Sequence, residues 1–359
     1  MSCSKENLNK VRILIVGSGI IGKFNALELS KQGFKVTIVD NEESKNSSNA
    51  ALGILMGHIY QKRHGRSWEL RKVSINLWPK WINYLRHINS KLQIEKPLLQ
   101  LTKSRIKFEK LKQFARNNLK EKFEIIEKNS PKLKKIHEIF ERNDFQGLIS
   151  YEDGRINPRL LLDTIDLSLK KNHVNFIKGR VIKIEKKQKK WIGTLENEKE
   201  LIGDIIILCN SLNSLKLLKE FEHKIKLKPI LGQAIEILYD DDQIDFLSLP
   251  KNFNIDGKNF IPLTKNKIIL GSTDENSLIP EEAKINQLTE FLDNNPKWMN
   301  KKNIIRKWFG IRSRPDGEPS PILKTLDKGL IICSGFYKNG ILLAPGSADW
   351  ISKEIKKHL

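Results

Sequence analysis

The chain has 359 residues, with 64 Lys and Arg against 42 Asp and Glu for a formal charge of +22. That length holds two domains with sizeable cores, and no apolar stretch reaches the ~20 residues that cross a bilayer. The three cysteines, Cys3, Cys209 and Cys333, are too dispersed for a disulfide framework or a C-x-x-C pair, and the seven histidines, His58 and His64 among them, show no zinc-like spacing. No metal is expected, and a reduced cytoplasm is the default setting.

In chain order, Arg12 to Val16 is an apolar, β-branched run that reads as a buried strand. Gly17, Gly19 and Gly22 follow at once as G-x-G-x-x-G. An amphipathic stretch (Phe24, Leu27, Leu29) stops at Gly33, and a second strand, Val36 to Val39, ends on Asp40, 18 positions after Gly22. This is a complete βαβ unit. Gly17 makes the tight turn, Gly19 lets the backbone approach a pyrophosphate, and Gly22 allows close helix–strand packing. The helix start, with Ile20 and Ile21, then faces phosphate charge, and Asp40 accepts from a ribose hydroxyl. Lys5, Lys10 and Arg12 before an apolar run imitate a secretory leader, but three glycines break that run and no small-residue cleavage site follows.

Beyond a polar loop (Asn41 to Asn49) and a small-residue stretch (Ala50 to Gly57), residues 67 to 88 read as a helix that Pro79 kinks or splits. Leu98 to Leu101 is a short strand, and 108 to 142 read as basic helix broken near Ser130-Pro131. Ser150 to Pro158 is a turn-rich crossing before a helix over Arg159 to Leu169. Asn175 to Ile177 and Val181 to Ile184 are strands, and Lys186 to Lys190 is a hairpin tip. Asp204 to Cys209 is a buried strand. Ile230 to Leu238, Phe260 to Leu263 and Lys267 to Leu270 belong to a second sheet, and Ile285 to Phe291 is a helix. Leu330 to Cys333, a glycine-containing loop and a helix over Ser347 to Lys357 close the chain. The pattern is α/β: a Rossmann-like, discontinuous dinucleotide domain with a second domain on a mixed or antiparallel sheet.

The positive charge has two readings. It is an electrostatic footprint for nucleic acid or another acidic surface, or it is compositional, since Lys, Asn and Ile are all abundant and the lysines carry no interleaved aromatics. Lysine runs are usually solvated faces, which favours the second.

Six further motifs stand in a fixed order. They are Ser47-Ser48-Asn49-Ala50-Ala51-Leu52-Gly53, Gly154-Arg155-Ile156-Asn157-Pro158 and Pro229-Ile230-Leu231-Gly232-Gln233, then Ile269 to Glu275, Trp308 to Pro319 and Gly335 to Gly346. Together they resemble the FAD-dependent D-amino acid oxidase superfamily, in a glycine oxidase-like form, over nearly the whole chain. The resemblance implies FAD held by Gly17, Gly19, Ile20, Ile21, Gly22, Asp40, Ser48, Ala51, Val181, Gly310, Gly335, Asn339, Gly340 and Ile341. It assigns 1–88, 148–222 and 311–359 to the FAD-binding domain, and 89–147 and 223–310 to the substrate-binding domain. Backbone donors at Asn339-Gly340-Ile341 would meet the flavin's pyrimidine end, where negative charge develops on reduction.

A planar guanidinium is the best clamp for an amino acid carboxylate. Arg312 or Arg314 takes that role by resemblance, with Lys338 beside it; a structural ion pair with Asp316 is the alternative for either arginine. The implied reaction passes hydride from the Cα of a small amine or amino acid to flavin N5, with O2 or a quinone as acceptor. A flavin oxidase acting on a modified tRNA base and a quinone-linked amino acid dehydrogenase are the other functions considered, and self-association of the chain is allowed for. Three departures bear on substrate choice and activity. Lys338 and Phe336 stand where glycine oxidases carry arginine and histidine, and Cys209-Asn210-Ser211 stands where the family has Ala-x-Gly.

Overall fold

The computed structural model describes residues 8–41, 47–221 and 224–357. Cys3, Lys5 and residues 42–46 of the polar loop lie outside them. A continuous apolar strand is stable where both its faces are covered, and Arg12–Val16 is buried from Ile13 onward. It pairs in parallel with Lys35–Asp40 on one side and Ile205–Leu208 on the other. The six-stranded sheet runs Ile322–Asp327, Leu330–Ser334, Ile205–Leu208, Arg12–Val16, Lys35–Asp40, Asn175–Lys178.

Successive residues of a strand point to opposite faces. Ile13 and Ile15 meet the helices Ile20–Lys31, Arg66–Arg86, Pro158–Lys171 and Gly340–Lys357. Leu14 and Val16 meet a three-stranded antiparallel sheet through Val181, Ile184 and Trp191. In that sheet Val181–Lys187 and Lys190–Leu195 form the expected hairpin, with Lys187 opposite Lys190. Its lysines sit among carboxylates: Lys186 pairs with Asp327, Lys187 with Glu185 and Glu200, and Lys190 with Asp204.

The second unit is an eight-stranded mixed sheet. Its order is Ile304–Pro315, Leu227–Leu238, Lys267–Gly271, Lys258–Thr264, Phe253–Ile255, Leu98–Thr102, Gln146–Ser150, Phe123–Ile126. Its core is aromatic: Phe140, Phe253, Phe260 and Trp298 are buried together, with the Phe253 and Phe260 rings stacked 5.0 Å apart.

Four elements differ from the sequence reading. Residues 108–142 are not one basic helix. The helix Arg105–Arg116 is followed by the edge strand Phe123–Ile126, where Ile125 faces Leu148 across the ladder, and by a short helix Lys134–Phe140. The crossing at 150–158 contains the short strand Gly154–Ile156, which pairs with both Ile54–Leu55 and Ile94–Glu95. Pro79 does not split its helix, which runs from Arg66 to Arg86. Packing on both sides of the proline holds it, through Trp78, which is 3% exposed, and Trp81, whose ring lies 5.2 Å from Phe24.

The closing helix starts at Gly340, not Ser347, and continues through Pro345. Its neighbour supplies the bonds that Pro345-Gly346 would cost it. Trp78 Nε1 donates to Leu342 O at 2.9 Å, and Gly346 N donates to Ser74 Oγ at 3.0 Å. Trp78→Phe keeps the ring but leaves the buried Leu342 carbonyl unpaired. It is expected to lower unfolding free energy by about 1–3 kcal/mol in a denaturant titration; an unchanged midpoint would show that this bond does not hold the helix through the proline.

Candidate active site

The site begins at the strand-to-helix turn. Gly17 has φ +108°, which L side chains rarely adopt, and a Cβ there would lie 2.8 Å from the Cys209–Asn210 backbone. A Cβ on Gly22 would lie 1.9 Å from Gly17 O, so the helix packs against its own incoming strand. Gly19, at the N-cap, has no side chain to bond the first turn, so that end takes its partner from elsewhere. Ile20 N donates to Ser48 Oγ at 3.0 Å, fixing the 47–53 loop beside that end. Asp40 closes the second strand and accepts from Ser18 N at 2.5 Å.

From there a cavity of about 760 Å³ runs to the eight-stranded sheet. Of the sequence-predicted residues, Ile20, Ser48, Ala51, Gly310, Arg312, Lys338, Asn339, Gly340 and Ile341 line it. Gly17, Gly19, Ile21 and Gly22 lie in the turn and helix start behind Ile20. Val181 is buried against Leu14 and Val16 in the core beneath the sheet. Gly335, with φ +72°, has its carbonyl held by Ser320 Oγ at 2.6 Å. Phe336 is 6% exposed and packs in the helix-side core.

One wall is the 56–60 loop, held by a buried carboxylate. Asp153 accepts from Gly57 N, His58 N and Ile59 N at 2.6, 2.9 and 2.7 Å, and from Ser150 Oγ at 2.7 Å. Against this loop lies Arg71, 1% exposed, which donates to Met56 O and to Asn339 Oδ1 and sits 3.9 Å from the Tyr60 ring centroid. Its Nε has no partner, and no carboxylate lies within ion-pair distance of it among the described residues. Asn339 in turn precedes the first turn of the closing helix, and Leu343 N donates to its carbonyl at 2.9 Å. A buried cation and a helix N-terminus thus converge on one end of the cavity.

The other end is built on Ile304–Pro315 and its neighbours. The Arg312 guanidinium lies over Gly232, where a Cβ would sit 1.9 Å from Nη2. Its side chain is 14% exposed; Nη2 donates to Ser272 Oγ at 2.6 Å, and Nη1 lies 3.5 Å from Asp274 Oδ1. Arg314 is exposed, lies outside the cavity lining and sits 5.2 Å from the Tyr337 ring centroid. Asp316 is paired with Lys228 instead of either arginine. Asp274 also accepts from Tyr337 Oη at 2.6 Å and Lys338 Nζ at 2.9 Å.

Burial alone would raise the Asp274 carboxyl. The bonds from Tyr337 and Lys338, with the charges of Lys338 and Arg312, outweigh it and hold the group below the ordinary carboxylate range. Burial likewise lowers the Arg312 guanidinium, opposed by the charge of Asp274; it stays protonated, as guanidinium groups do. The Tyr337 phenol is pushed up to about 12 by burial, by its bond to Asp274 and by that negative charge. A folded pKa above the ordinary value contributes stability that is complete below about pH 10 and fades as the pH rises toward about 12. A tyrosinate titration should therefore show no difference between wild type and Tyr337→Phe below about pH 11; a phenol missing from the variant near pH 10 would contradict the bond to Asp274.

These features fit a bound FAD. The turn admits no Cβ at Gly17 or Gly22, the helix start, where Gly19 brings no side-chain cap of its own, suits a pyrophosphate, and Lys62 and Arg71 line the cavity with no carboxylate or imidazole among its described lining residues. Sequence reasoning missed Arg71 and Asp153. Arg71 looks like one more surface cation on an amphipathic helix, and Asp153 sits in a segment read only as turns. The spacing of Arg71 three positions before Ser74 and seven before Trp78 was the available signal, since all three share one helix face.

The sequence profile of the FAD dependent oxidoreductase (DAO) family matches residues 12–354. Glycine oxidase of Pseudomonas aeruginosa is 25% identical over 346 residues, covering 94% of this chain and 92% of that protein. Among solved structures, glycine oxidase from Bacillus cereus superposes with a TM-score of 0.82 at 20% identity, over 98% of this chain and 96% of that one. Iminodiacetate oxidase from Chelativorans gives 0.83 at 15% identity, over 97% and 96%.

Proposed function

Since this chain belongs to the family of FAD-dependent oxidoreductases, we propose that it oxidises a small amine or amino acid of glycine or D-amino acid type. The observation that carries this reading is Arg312, a largely buried guanidinium lining the cavity, whose five N–H donors exceed its bonds to Ser272, Thr273 and Asp274. FAD, held by these residues, would supply the two-electron oxidation of the substrate's Cα–H.

The chain's own residues bind and orient. Gly17, Gly19, Gly22, Ser48 and Asp40 form the nucleotide end, and Arg71, Asn339, Gly340 and Ile341 provide the positive end for a group that gains negative charge. Arg312 fixes the substrate carboxylate, while Gly232, Ala234 and Gly310 keep the sheet floor low beside it. Leu52, Met56, Ile59, Ile341 and Leu342 supply apolar wall, which excludes water and strengthens the guanidinium–carboxylate attraction. No carboxylate or imidazole lines the cavity among the described residues, so no side-chain base is assigned, and the substrate is taken to bind with its amine neutral. The imine product hydrolyses to a keto acid, or to glyoxylate from glycine. The reduced enzyme passes its electrons to O2 or a quinone.

The test is the visible spectrum of the purified holoprotein, recorded anaerobically before and after adding glycine, sarcosine or D-amino acids. Bleaching of the flavin by one of them is the expected result. An oxidised spectrum that none of them changes would overturn the proposed substrate class.

A further inference from the structure

Across the eight-stranded sheet, directly opposed residues form a row along the cavity floor. Ala234 faces Gly271, Gly271 faces Asn259, Asn259 faces Asn254, and Asn254 faces Gln100. Opposed residues share a face. The half of the row nearest Arg312 is therefore small, and the far half carries three amides, all of which line the cavity.

Their orientation follows from one backbone donor. Gly257 N can only donate, so the Asn254 atom it meets at 2.9 Å is Oδ1. Asn254 Nδ2 then points to Asn259 at 2.9 Å, and the atom it meets must be Asn259 Oδ1. This leaves the Asn259 NH2 group facing the cavity, with no partner among the described residues. The Gln100 amide likewise has none. The far half of the floor thus offers the Asn259 NH2 as a donor and the Gln100 amide, which can turn either its NH2 or its oxygen to a ligand.

Reach decides what they meet. Strands lie about 4.8 Å apart. The Arg312 guanidinium lies over Gly232, two residues along the strand from Ala234, so with about 3.4 Å per residue and that strand spacing Asn259 is about 12 Å away, Asn254 about 16 Å and Gln100 about 20 Å. Glycine, at about 3.5 Å for one extended residue, would leave the amides unused.

We infer that this chain's substrate is an α-amino acid with an extended arm ending in an oxygen acceptor, carboxylate or carboxamide, which the Asn259–Asn254–Gln100 row receives while Arg312 holds the α-carboxylate. The inference rests on the proposed amino acid oxidation and names the substrate class of that same cavity. Its electrostatics agree: Lys62 and Arg71 line the cavity with no carboxylate among its described lining residues, while Asp274 lies between Arg312 and Lys338, so an acidic arm enters a chamber of net positive charge.

The test separates binding from turnover. Glutarate, glutaramate, hexanoate and acetate are titrated into the holoenzyme and followed by perturbation of the flavin spectrum, and both enantiomers of glutamate, glutamine and norleucine are tested for anaerobic flavin reduction. Glutarate or glutaramate is expected to bind at least tenfold tighter than hexanoate. Glutarate and glutaramate reach only the near end of the row, so that preference should fall to less than threefold in an Asn259→Leu variant that retains the flavin spectrum. The ratio of glutarate to glutaramate tells an acidic arm from a neutral one. Equal or tighter binding of hexanoate overturns the subsite, and leaves amino acid oxidation standing if any amino acid bleaches the flavin. A glutarate or glutaramate preference that Asn259→Leu loses, with no amino acid bleaching the flavin, supports the subsite and removes the oxidation reading instead.

Discussion

Arg312→Leu is expected to cut kcat/KM by about 10²–10³-fold. Truncating one partner of a buried, hydrogen-bonded charge pair costs about 2–5 kcal/mol, and about 1.4 kcal/mol is tenfold in rate. The side chain is 14% exposed and sits over Gly232, so water cannot replace it without moving the floor. Arg312→Lys keeps the charge but loses the two-pronged geometry and should recover only part of the loss. Lys338→Ala is the contrast. That lysine is 46% exposed and already paired with Asp274, and exposed pairs are worth about 0.2–1 kcal/mol, so less than about a fivefold loss is expected. Steady-state kinetics on the three variants decide the matter. If Arg312→Leu stays within tenfold of wild type, or Lys338→Ala proves the more damaging change, the carboxylate is held elsewhere.

The second large effect is on the cofactor. Gly22→Val should yield protein without flavin. Even the first added carbon would sit 1.9 Å from Gly17 O, a backbone atom that cannot rotate away. The turn must open or the helix must shift, and either displaces the helix end from the phosphate position. A variant that folds is expected to show at least a hundredfold weaker FAD binding, measured by the flavin-to-protein absorbance ratio after dialysis and by titration with added FAD. Gly33→Ala provides the comparison for a glycine outside the turn: its φ of +99° strains the chain, so it should lower stability without emptying the site. A Gly22→Val protein that purifies yellow at full stoichiometry would overturn the cofactor assignment at this turn.

The βαβ turn was legible because its signal is local. Gly17, Gly19, Gly22 and Asp40 fall within one βαβ unit, and steric limits on the turn dictate them directly. Arg312 was legible as chemistry, but not separable from Arg314, because the distinction rests on which strand position lies over Gly232, a cross-strand fact. The start of the closing helix was hidden because Gly340, Pro345 and Gly346 all read as breakers; the bonds that carry the helix through them come from Ser74 and Trp78, more than 260 residues earlier. Cys209 and Cys333 show the same limit: dispersed in sequence, they flank one amide, Asn25 Nδ2, at 3.4 and 3.6 Å. The amide row is the extreme case, since Gln100, Asn254 and Asn259 carry no spacing that links them until the sheet aligns three strands.

Tyr337, Lys338 and Asn339 are consecutive, yet they serve opposite ends of the chamber. The first two grip Asp274 on the far sheet, and the third takes the bond from Arg71 at the head of the closing helix. A single corner of chain is thus tethered to both ligands' surroundings. The Arg312–Asp274 cluster and the Arg71 bond therefore share one mechanical element, three residues long, and a shift of either is borne by the same backbone.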